Sequence, residues 1–142
     1  MDEESAWLAR LKQAIAPPIP ERNSRFTNFY DAQRDLGMTP QEQDFYSRHL
    51  ANLYGPGGVD NPDGSRSTLY QATIQGPEDR FYTIPTVWGG KILPPPEAIN
   101  EVRKVGIDVF PSYGTVDEAE NRYGQLHDYM ERDTGDYLKS RR

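Results

Sequence analysis

Apolar positions recur along the chain with two different periods, and the change from one to the other divides it into elements. Between Glu3 and Ile15, the residues Trp7, Leu8, Leu11, Ala14 and Ile15 fall on one helical face, with Asp2 as cap and Pro17 as stop. A helix of about 13 residues is marginal alone in water, so this stripe needs cover from the domain body or from another chain. Trp7 and Leu11 are therefore candidate contact residues on an N-terminal helical arm. A Pro-interrupted, extended connector follows, leading into a short helix near Asn28 to Leu36. The next helix has a clear start: Thr39, Pro40 and Glu42 match an N-cap, a first-turn proline and a capping-box acid, and Gly55 ends it. Tyr46, Leu50 and Leu53 share its apolar face, with Phe45 and His49 beside them.

The period then shortens to two. Asp63-Gly64, prepared by Asn61-Pro62, reads as a tight turn, after which Tyr70, Ala72 and Ile74 alternate with Gln71, Thr73 and Gln75 as in a half-buried strand. The GPED sequence reverses the chain into a second strand over Arg80 to Ile84, which Pro85 limits to an edge or a strand end. Thr86-Val87-Trp88, Gly89-Gly90 and Lys91-Ile92-Leu93 predict a further hairpin. The prolines at 94–96 start a helix with Ala98, Ile99, Val102 and Val105 on one stripe and Gly106 at its close. Thr115 and Glu118 cap the last helix, where Val116, Ala119, Tyr123, Leu126 and Met130 form a stripe suited to sealing the sheet. The pattern predicts an α+β fold, a small antiparallel β-meander packed by two or three helices, with a helical and extended N-terminal arm. The divisions expected are 1–38 for arm and connector, 39–135 for the compact domain and 136–142 for a basic tail.

Composition adds a partner class. The chain has 142 residues, room for one core, yet only 35% are hydrophobic while nine are Tyr and two are Trp. Aromatic residues with a polar tip serve small cores and protein interfaces alike, so a protein partner is expected. Tyr82, Trp88 and Lys91 in the hairpin region are the candidate binding residues there. The net charge of -6 argues against wrapping nucleic acid, whose binding depends on clustered cations. The basic cluster Lys139, Arg141 and Arg142 is terminal, as suits a helix C-terminus. There is no cysteine for a disulfide or a thiolate site, and neither a signal peptide nor a membrane span is expected.

Candidate chemistry is sparse. His49 beside an apolar stripe reads as a packed, hydrogen-bonded side chain. Asp60, Asn61 and Asp63 resemble a cation loop, but aligning Gly64 with the calcium-loop glycine puts Val59 and Tyr70 at ligand positions, where neither can coordinate. His127 and Glu131 share a helical face, and Ser65 and Ser67 lie in a Gly-rich loop, which together suggest a small hydrolase as one alternative. No H-E-x-x-H, G-x-S-x-G or paired-carboxylate signature accompanies them. No catalytic residue, metal site or cofactor is therefore assigned.

The phrases DGSRST, RFYTIPTVWGGKIL, EAI and FPSYGTVDEAENRYGQLHDYMERD together resemble a small module that recurs in tailed-bacteriophage virion proteins, over about residues 55–133. In that family the module occurs in short proteins and in long internal or tail-associated ones. The resemblance implies a non-enzymatic structural or ejection-associated role in the virion after synthesis in the host cytoplasm, with other virion proteins as partners. Repeated placement around a symmetric particle is usual for such a component, which leaves a homo-oligomer open. The motif residues Ser67, Thr68, Pro85, Thr86, Trp88, Gly90 and Lys91 are each explicable as turn, cap or packing residues. A soluble inhibitor of a host factor is the other alternative, suggested by small size, acidity and aromatic content.

Overall fold

In the computed structural model, which describes residues 25–141, helix α1 (Thr27–Leu36) ends at Gly37, whose φ of 63° closes it in the left-handed region. The arm helix expected over Glu3 to Ile15, with Trp7 and Leu11, lies outside the described residues. Helix α2 (Pro40–Tyr54) begins as its sequence dictates: Glu42 N donates to Thr39 Oγ1 at 3.1 Å, and Glu42 Oε1 accepts from Thr39 N at 2.9 Å. It buries Phe45, Tyr46, Leu50 and Leu53, each contributing about 1.5–3 kcal/mol by leaving water.

The strands are short and antiparallel. β1 (Val59–Asp60) pairs with β2 (Arg66–Ser67) across the expected turn, where Gly64 has φ 90°. β3 (Ala72–Gln75) pairs with β4 (Phe81–Ile84), and β5 (Val87–Trp88) pairs with β6 (Lys91–Ile92) through Gly89 and Gly90 at φ 60° and 77°. The α+β class holds, with the strands divided among sheets of two, three and two rather than running on as one ribbon. Pro85 has no N–H to continue the β4 ladder, and the next two amides, of Thr86 and Val87, donate instead to the Leu69 carbonyl at 2.8 and 3.2 Å. β4 is the central strand of its sheet, because β7 (Ser112–Tyr113) pairs with its other edge; Pro85 lies just past its end. At the β3–β4 turn, a Cβ on Gly76 would fall 2.7 Å from the Tyr82 ring, so only glycine admits this approach.

Helices α3 (Pro95–Val105) and α4 (Val116–Ser140) complete the body. Ala98 and Val102 of α3 are buried, while Val105 is exposed beyond the core edge. Thr115 Oγ1 caps α4 by accepting from Glu118 N at 3.0 Å, but the Glu118 carboxylate turns back to Gly114 N rather than to the cap residue. Ala119, Leu126 and Met130 are buried and Tyr123 half-buried, so α4 seals the sheet; Val116 is exposed in the first turn.

The core extends past 39–135 on both sides. Phe29 and Ala32 of α1 are buried within it, and α4 continues through the stretch expected as a tail, setting Tyr137 against Tyr54 with ring centroids 5.5 Å apart. Among the described residues, no helix is long and apolar enough to cross a membrane.

Candidate functional site

The residues predicted to bind fall in different surroundings. Tyr82 is only 8% exposed and belongs to the core, because its strand is central and its ring covers Gly76. Trp88 and Lys91 are cross-strand partners; Lys91 is exposed, while Trp88 is half-buried, donates Nε1–H to the Pro85 carbonyl at 2.8 Å and meets Phe110 edge-on. The hairpin thus uses its tryptophan mostly for packing.

A cleft of about 380 Å³ lies elsewhere, between residues 65–71 and helix α4. One wall is the DGSRST segment, and Arg66 docks it on the end of α2. The Arg66 guanidinium donates to the carbonyls of Asn52, Leu53 and Gly55 at 3.1, 3.2 and 2.6 Å, satisfying acceptors that a helix C-terminus leaves free. Its remaining charge is met by Asp60 at 2.8 Å. Asn52 Nδ2 donates to the Thr68 carbonyl at 2.8 Å, tying the same wall from α2.

At the lip stands Tyr70. Its φ of 44° is uncommon for a residue with a side chain, and the residue is 63% exposed. The strain is held from behind: Thr86 Oγ1 donates to the Tyr70 carbonyl at 2.5 Å, while the Thr86 and Val87 amides hold Leu69, which is 2% exposed. The Thr86 of the IPT phrase therefore fixes the backbone that projects Tyr70 outward. The opposite wall carries Tyr123, His127 and Glu131, with His127 Nε2 3.2 Å from Glu131 Oε1 and His127 Nδ1 3.2 Å from the Tyr123 hydroxyl. Burial, then the negative charges of Glu131 and Glu120, push the Tyr123 hydroxyl up to about 12.

Beneath the cleft is a buried polar chain. Thr68 Oγ1 lies 2.6 Å from His49 Nδ1, and His49 Nε2 is 3.3 Å from Asp133 Oδ2 without the alignment of a hydrogen bond. Asp133 also accepts from the Tyr46 hydroxyl at 2.5 Å and from Asn28 Nδ2 at 2.9 Å. Burial, and then the Asp133 charge, raise the Tyr46 hydroxyl far above its ordinary value, keeping it a donor. Hydroxyl, imidazole and carboxylate stand in the order used for acyl transfer. His49 and Asp133 are each 1% exposed and Thr68 8%, and the group links α1, α2, the loop and α4 as an interior strut.

Sequence reasoning found His49 as a packed, hydrogen-bonded residue and missed Tyr70, which it placed in a strand. Period two carries no sign of a positive φ. Among the described residues, no group of three or more His, Asp or Glu is arranged to hold a metal ion. No family model, curated protein or solved structure matches the chain.

Proposed function

We propose that the chain is a non-enzymatic component of a tailed-phage particle, structural or ejection-associated, that works by contacting other virion proteins. The observation that carries the contact role is Tyr70: an exposed aromatic residue projected from a strained, pinned backbone beside a cleft. Interface energy concentrates in aromatic residues, and a backbone already fixed leaves less conformational freedom to be lost on binding. The virion location rests on the resemblance of the DGSRST, IPTVWGGK and DEAENRYGQLH phrases. Quantitative mass spectrometry of purified, nuclease-treated particles, counting this chain against the major capsid protein, tests it. A fixed copy number is expected; absence from particles despite abundance in infected cells overturns the virion role and favours an intracellular inhibitor.

A small hydrolase is the second reading, favoured by the Thr68–His49–Asp133 order alone. It requires turnover of an activated ester that disappears in a folded Thr68→Ala variant. We expect no such turnover.

A further inference from the structure

The contact role leaves the chemistry of the partner open. We infer that the cleft beside Tyr70 receives an arginine side chain of the partner protein, its guanidinium stacked on the Tyr70 ring and hydrogen-bonded to the Glu131 carboxylate.

Charge selects the occupant first. With histidine counted as neutral, the formal charges lining the cleft are Arg66 and Glu131. Arg66 is already engaged by Asp60 and three carbonyls, whereas Glu131 is exposed and, among the described residues, pairs with His127 alone. With Arg66 neutralised by its partners, Glu131 leaves the field in the cleft negative. An anionic side chain would find no free cation there. A purely apolar one would take water from the Glu131 carboxylate without supplying a donor in its place.

Shape and chemistry then separate the two basic side chains. Lysine would supply a point charge to Glu131 but little to the exposed ring. Arginine presents a plane that stacks on an aromatic face and a fork that pairs with a carboxylate, so it uses both walls at once. The buried Leu69 and Met130 give its aliphatic stem an apolar floor. A cleft of about 380 Å³ is at the small end of ligand sites, suited to one side chain with its flanking backbone.

The inference rests on the protein-contact reading, and two measurements keep them apart. The first titrates the isotope-labelled full chain with acetylated, amidated pentapeptides of glycine carrying a central arginine, lysine or citrulline, followed by backbone amide shifts. The arginine peptide is expected to move residues 69–71 and 127–131, with dissociation on the millimolar scale, and citrulline to bind about tenfold more weakly. Glu131→Gln and Tyr70→Ala, both at exposed positions, are expected to cost a similar factor while the remaining spectrum shows the fold intact. Equal binding of citrulline, shifts confined to other surfaces, or no shift at tens of millimolar peptide overturns the inference. The second measurement places a photo-crosslinking residue at Gln71 in assembled particles. A crosslinked neighbour together with arginine-selective binding supports both readings. A crosslinked neighbour without arginine selectivity removes the arginine and leaves the contact role; no crosslink, with no copies in particles, removes both.

Discussion

Tyr70 holds a backbone conformation that its own side chain disfavours, and the compensation comes from Thr86 on the other side of the loop. Replacing it by glycine removes the clash of Cβ with the left-handed backbone but adds unfolded-chain freedom, so Tyr70→Gly should stay within about 1 kcal/mol of wild type by urea denaturation. Under the proposed contact role, binding to a virion neighbour should nevertheless be lost. A large destabilisation would mean that the ring supports the fold instead. Asp133 behaves in the opposite way: Asp133→Ala leaves the Tyr46 hydroxyl and the Asn28 amide without their acceptor in the interior and should cost about 3 kcal/mol. At this scale the sequence was legible where a residue followed its neighbours' pattern. The packing of His49 was readable from its place beside Tyr46 and Leu50, whereas the partners that hold it, Thr68 and Asp133, are brought near only by the tertiary fold.

Among the elements, the start of α2 serves two scales of structure at once. Glu42 completes the capping box through Oε1, and its Oε2 accepts from Tyr113 at 2.6 Å and from Arg122 of α4 at 2.7 Å. Burial favours the neutral carboxyl, but the hydrogen bonds from Arg122, Tyr113 and Thr39 N outweigh it and hold Glu42 below the usual glutamate range. The folded carboxyl therefore binds a proton less readily than the unfolded one. Its stabilisation is full above the unfolded value and fades as pH falls through the folded value. Wild type should lose stability as pH falls below about 4.5, the unfolded glutamate value, and Glu42→Gln should show a shallower decline from a starting point about 2 kcal/mol lower at neutral pH. An unchanged slope would remove Glu42 as the source. Thr39, Pro40 and Glu42 announce the cap in the sequence; the clasp to Arg122 does not appear there, since nothing local marks two residues far apart in the chain as neighbours. The same limit hid β7: two residues, Ser112 and Tyr113, are too few for a period, so the central place of β4 could not be read from β4 itself.

For the molecule as a whole, the length of α4 decides where the body ends. Deleting residues 136–142 would strip Tyr137 from Tyr54 and should cost about 2 kcal/mol by urea denaturation, where a solvated tail would cost nothing. In the sequence the basic residues of that stretch look like a solvated tail and mask Tyr137 and Leu138, both half-buried in the fold. The Tyr54–Tyr137 pair has a consequence for how such a body can be used. Arg25 stacks over Tyr54 at 4.7 Å and Arg141 over Tyr137 at 5.3 Å, so the first and last described residues meet at one pair of rings. A body whose first and last residues lie close together can be spliced into a surface loop of a larger protein without stretching its host. Residues 25–141 have that arrangement, so joining them into a host loop should leave the cleft and Tyr70 as they are.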